Sequence, residues 1–128
     1  MRHSASGIGG LTLGGGVGWL SRKYGMSIDN LLSAQIVTAD GKVLTASACE
    51  NDDLFWALRG GGGNFGVVTS FEFQAHAVTT VLGGLLLYPM EMAVDVIRHF
   101  RDYMVSAPDE LTAYAAVLHG PDGRRWLE

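Results

Sequence analysis

Cysteine is nearly absent from this 128-residue chain: Cys49 stands alone, so no disulfide can form within the chain. A lone cysteine fits a reducing compartment, and the expected location is cytoplasmic. Only 17% of the residues are charged, nine basic against thirteen acidic, and no basic run or RNA-binding signature points to nucleic acid. The apolar runs are short and interrupted by glycine, which excludes a membrane-spanning helix, and no secretion signal is visible at the start. Proline occurs three times and histidine four times. His76, His99 and His119 have no second ligand at metal spacing, so no metal site is expected, and no Ser-His-Asp arrangement can be argued. Collagen is excluded because the glycines follow no Gly-X-Y period.

Glycine, by contrast, is abundant. Twelve of the eighteen glycines fall in two segments, "GIGGLTLGGGVG" (7–18) and the run within "ALRGGGGNFGVVTSFEF" (57–73). Gly61, Gly63 and Gly66 satisfy G-x-G-x-x-G, but a dinucleotide fingerprint needs a strand before it and a helix after it. Here the order is reversed. Loops at positive φ explain one or two glycines, not four in a row. The upstream cluster reads as a nest of backbone N–H groups ahead of a helix. Close approach to a phosphate-bearing ligand and tight backbone packing both account for the runs.

The remaining pattern predicts an α+β chain, with an antiparallel sheet and helices packed on one of its faces. "VGWLSRKYG" reads as a short helix closed by Gly25. "LLSAQIVTADGKVLTAS" reads as a two-residue hairpin at Asp40-Gly41. Asn51 is the expected N-cap of a helix that carries Asp52 and Asp53 in its first turn, buries Leu54, Phe55 and Leu58, and stops at Gly60. In "VVTSFEFQA", alternation places Val67, Thr69, Phe71 and Phe73 on one face, with Val68 on the other. "TVLGGLLLYP" and "TAYAAVLHG" read as strands. Between them lies a helix over 89–106 with a buried stripe of Ala93, Ile97, Phe100 and Met104. "PDGRRWLE" reads as a turn with a ragged tail, Arg124-Arg125 as solvated, Asp29-Asn30 as a turn or capping pair in preference to a ligand contact, and Trp19, Tyr24 and Trp56 as core.

Three stretches taken in order, "GIGGLTLGGGVGWLSRKYGMSIDNLLSAQIVTADGKVL", "ENDDLFWALRGGGGNFGVVTSFEF" and "YPMEMAVDVIRHFRDYMVSAPDELT", resemble the FAD-linked oxidases of the berberine bridge enzyme type, within the vanillyl-alcohol oxidase superfamily. The resemblance is dense over residues 7–77. It implies the second lobe of a PCMH-type FAD-binding domain over 1–78 and the start of a substrate-binding domain over 79–128. It further implies FAD as cofactor, contacted by Gly7, Ile8, Gly9, Gly10, Leu11, Val17, Asn64, Gly66 and Val68, the last through its backbone. The implied activity is hydride transfer from an alcohol or amine carbon of a small molecule to flavin, with dioxygen as reoxidant. No R-G-G-H type loop, the family's site of covalent histidine attachment, occurs in this chain. His3 lies near the place where doubly linked members carry a cysteine, and the position of Cys49 does not support a thioether. No catalytic acid or base is expected here. The competing reading is a folded module without flavin that is structural or self-associating, as a homodimer.

Overall fold

A computed structural model of the chain describes residues 7–121 and 123–128. They form two compact units, divided between Ala77 and Val78.

The first unit is built on a three-stranded antiparallel sheet of order β2-β1-β3, with β1 at Leu31–Val37, β2 at Val43–Ser47 and β3 at Val67–Phe73. Around it lie α1 (Ile8–Leu13), α2 (Ser21–Tyr24), α3 (Asp52–Gly61), and single 3-10 turns at Ser27–Asn30 and Gly62–Phe65. Ala34 and Ile36 of β1 and Ala46 of β2 face Phe55 and Leu58 of α3 and Leu13 of α1, with Ile28 and Leu31 completing the core. Ile36 and Leu58 are fully enclosed. Each such side chain contributes about 1.5–3 kcal/mol through the apolar surface it removes from water.

Local chemistry departs from the sequence reading at several points. The first glycine cluster is not a nest preceding a helix, because Ile8–Leu13 is itself helical. The hairpin turn is longer than two residues. Thr38 N–H donates to Lys42 O, Gly41 N–H donates to Thr38 O, and Gly41 takes the left-handed φ of +81° that closes the turn. Asn51 stands at the N-cap position but does not cap; its Nδ2 donates to Thr45 O at 2.7 Å. Asp52 and Asp53 occupy the first turn of α3, where the helix dipole favours them. Gly60, at φ +116°, breaks the regular helix as expected.

The alternation in β3 is interrupted by a bulge. Ile36 pairs with Val68 but Gln35 pairs with Ser70, so Thr69 is an extra residue. Val68 therefore shares the core side with Phe71 and Phe73, while Val67 is 69% exposed. The expected grouping of Val67 and Thr69 with the two phenylalanines fails because one inserted residue inverts the facing of everything beyond it. Trp19 and Trp56 are not core residues: they are 56% and 78% exposed, α3 having turned Phe55 and Leu58 inward instead.

The second unit holds a small antiparallel sheet of order β4-β6-β5, with β4 at Tyr88–Pro89, β5 at Val117–His119 and β6 at Arg125–Leu127. A 3-10 turn (Met90–Met92) leads into α4 (Ala93–Ser106). The tail read as ragged is the middle strand: Gly123 at φ +76° and the Gly120 N–H to Arg124 O bond turn the chain back, and Arg125 pairs with His119. Residues 80–87 form no strand, although they alternate as one. They contain the flexible Gly83-Gly84 pair, and Leu82, Leu85 and Leu86 stand exposed. On α4 the half-buried stripe is Ala93, Val96, Phe100 and Met104, and Ile97 is exposed.

Candidate functional site

The fold brings the two glycine segments together. Helix α1 packs against α3 and against the two 3-10 turns of the first unit, so it lies beside the Gly62–Phe65 turn that carries Asn64.

Adding a Cβ in thought to each glycine separates two kinds. At Gly66 (φ +142°) the Cβ would run into the carbonyl of Val37 and lie 3.1 Å from Ile36 Cγ1. At Gly16 it would meet Ser27 Cβ at 2.6 Å, at Gly61 the Phe65 ring at 2.6 Å, and at Gly9 the Phe71 ring at 3.1 Å. These glycines serve packing within the chain. Gly7, Gly10, Gly18 and Gly63 differ: a Cβ would meet nothing within 4 Å, and their φ values are not left-handed, as also holds for Gly83 and Gly84 of the second unit. None of the described residues requires glycine at these positions. Bare backbone facing open space, at an entropic cost relative to alanine, is what close approach by a ligand requires. Gly62 combines the two cases, with φ at +67° and open space around it.

The apolar residues beside these glycines point outward. Ile8, Leu11 and Val17 are 62%, 44% and 63% exposed. Val17 lies in the loop after α1, and Asn64 is tied to its own turn by Nδ2 donating to Gly61 O at 2.7 Å. The side chain of Val68 packs toward the core, leaving its backbone on β3, the outer strand of the sheet, as its contact surface. None of the nine candidate residues carries an ionisable side chain. What they can do is bind through backbone groups and apolar contact, which fits a flat ring system joined to a phosphate-bearing chain. His3 lies outside the described residues.

Among the described residues no group of three histidine, cysteine or acidic side chains could hold a metal ion, and no helix is long and apolar enough to cross a membrane. The resolved pKa shifts lie away from the glycines. Lys42, then Thr38, hold Asp40 below its usual carboxylate value in the hairpin turn, and Asp102 raises Arg101 on α4.

Sequence reasoning left Asp29-Asn30 open between a turn and a ligand contact. Both residues are tied into the protein. Asp29 Oδ2 accepts Met26 N–H at 2.8 Å, and Asn30 Nδ2 donates to Tyr24 O and Met26 O at 2.8 and 2.9 Å. Their partners in the folded chain were not legible from spacing.

Known proteins resemble this chain in sequence and in fold. A family model described as FAD binding domain matches residues 2–47. The FAD-linked oxidoreductase pgmH of Aspergillus terreus is 51% identical over 92 residues, covering 72% of this chain and 19% of the relative. The crystal structure of 6-hydroxy-D-nicotine oxidase from Arthrobacter nicotinovorans superposes with a TM-score of 0.84 at 34% identity, over 98% of this chain and 28% of that one. BBE-like 1 of Physcomitrella patens gives 0.76 at 35% identity, over 94% and 26%. The chain spans between 19% and 26% of the length of the first curated relatives it matches. In fold and sequence, then, this chain belongs to the FAD-linked oxidoreductases of the berberine bridge enzyme type, a vanillyl-alcohol oxidase family whose cofactor is FAD.

Proposed function

We propose that this chain forms one FAD-facing wall of a flavin-dependent oxidase. The carrying observation is that Gly7, Gly10 and Gly63, with Gly18, are the glycines of the two segments that neither conformation nor packing against the described residues explains. In this reading Gly7, Gly10 and the backbone of Val68 touch the cofactor directly. Ile8, Leu11 and Val17 cover its apolar ring and exclude water, and Asn64 supplies an amide from the second cluster. Gly9 and Gly66 hold the wall from behind by letting Phe71 and β1 approach closely. FAD, when bound, supplies the two-electron acceptor for a hydride leaving an alcohol or amine carbon of a small-molecule substrate, with dioxygen as reoxidant. This chain's residues bind and orient; the proton-transfer groups of the reaction lie elsewhere in the fold.

Residues 1–78 belong in this reading to the FAD domain's second lobe, and 79–128 open the substrate-binding domain. The lone, exposed Cys49 is compatible with a cytoplasmic location. The exposed apolar side chains favour self-association as a dimer. By itself the 128-residue chain should purify colourless and inactive, because the family's pyrophosphate-binding lobe is not within it.

The test is a chimera in which this chain replaces the matching segment of 6-hydroxy-D-nicotine oxidase. The chimera should carry flavin, and Gly10→Val and Gly63→Val should each deplete it without lowering the thermal midpoint of the flavin-free protein. A chimera that folds but takes up no flavin, or variants that keep full occupancy, would refute the assignment.

A further inference from the structure

The first glycine segment is held from below by one short loop. Ser27 N–H donates to Gly16 O at 2.9 Å, Ile28 N–H to Gly15 O at 3.0 Å, and Ser27 Oγ to Gly16 O at 3.2 Å. Gly16 has no room for a side chain because Ser27 occupies it. The position of Gly15 and Gly16, and of α1 just before them, therefore depends on where the 24–30 loop sits.

That loop is itself tied by Asn30. Its Nδ2 donates to Tyr24 O and Met26 O, its backbone carbonyl accepts Gln74 N–H at 2.8 Å, and its Oδ1 lies 2.6 Å from His76 Nε2. The His76 ring stacks on Tyr24, with centroids 4.0 Å apart and 16° between planes. Both Nδ2 bonds go to carbonyl oxygens, which can only accept, so the amide orientation is determined and Oδ1 must face the imidazole. An acceptor there requires a proton on Nε2. His76, just beyond β3, thus closes a ring of contacts through Asn30 and Tyr24 onto the loop beneath the first glycine segment.

We propose that Asn30 and His76 are positioning residues for the cofactor-facing backbone: the Nε2–H to Oδ1 bond holds the 24–30 loop in the one arrangement that anchors the buried Gly15 and Gly16, and through them fixes α1, whose Gly10 and Leu11 face FAD in the reading above. The proposal rests on the flavin reading for its purpose, but the clasp is a property of the chain without flavin.

The test uses the 128-residue chain in the absence of flavin. Long-range proton–nitrogen correlation NMR should show His76 with its proton on Nε2; an Nδ1–H tautomer would overturn the proposal. His76→Phe keeps an aromatic ring on Tyr24 but removes the donor, whereas His76→Gln restores a donor without the stack. Amide exchange at Ser27 and Ile28 should accelerate about tenfold in His76→Phe, a change of the size that one well-made hydrogen bond produces. The amide of Ala46 in β2 should stay protected, and His76→Gln should return Ser27 and Ile28 toward the wild-type rate. Unchanged exchange in His76→Phe, or acceleration of Ala46 by the same factor, would overturn it. In the flavin-loaded chimera, His76→Phe should weaken FAD binding about tenfold and His76→Gln should restore it. Equal FAD affinity in wild type and His76→Phe would refute the positioning role, whereas a parent chimera without flavin would refute only the functional reading.

Discussion

Gly66 and Gly63 sit three residues apart in the same run and should respond oppositely to the same substitution. At Gly66, φ +142° and ψ −167° form a backbone state that essentially only glycine adopts. A Cβ there would also meet the Val37 carbonyl and Ile36 Cγ1, both in the central strand and unable to move cheaply. The strained backbone costs about 1–3 kcal/mol, and forcing an extra carbon into a packed region a further 1–3 kcal/mol or so. Gly66→Ala should therefore lose about 2–6 kcal/mol, a large share of the stability a small domain possesses. At Gly63, φ −83° and ψ 18° are accessible to any residue, and the added methyl meets nothing. Gly63→Ala restricts only the unfolded chain and should gain about 0.4–1 kcal/mol. Urea unfolding of the two variants, with the slope m unchanged, should place their midpoints on opposite sides of wild type. A Gly66→Ala variant within about 1 kcal/mol of wild type would refute the packing argument. A Gly63→Ala variant that is clearly destabilised would refute the claim that its glycine has no role within the chain. Gly62→Val tests the intermediate case and should lose about 1–3 kcal/mol, from its positive φ alone.

Thr12 Oγ1 is buried without a hydrogen-bond partner among the described residues, so Thr12→Val should raise stability by about 1–3 kcal/mol, read as a higher urea midpoint; a destabilised variant would show that the hydroxyl is satisfied. Leu82, Leu85 and Leu86 stand in open solvent, and light scattering on the chain should show a dimer that weakens when all three become serine. Asp40, held below the usual aspartate value by Lys42 and then Thr38, should titrate below that usual value by NMR. With its pKa lowered in the folded state, its contribution to the hairpin is complete above the unfolded value and is lost as pH falls through the folded one, so Lys42→Ala should move the midpoint upward.

Much of this protein could be read from local chemistry. Phe55 and Leu58 share a helical face because of their spacing, Gly60 ends that helix because it tolerates positive φ, and Asp40-Gly41 marks a reversal between two alternating strands. The order of these motifs carried the resemblance to a flavin family, since motif order survives in sequence. Tertiary structure decided the rest. One bulge at Thr69 set which valine of the Val67-Val68 pair faces the core, and a bulge depends on the partner strand, not on alternation. Arg125–Leu127 became a strand because β4 and β5 flank it, whereas 80–87, with a stronger strand pattern, did not. Above all, the sequence showed the glycines as one kind of residue. Only the folded chain separates Gly66, which a neighbouring strand demands, from Gly10 and Gly63, which none of the described residues demands, because that difference lies in the atoms that other segments place around each Cα.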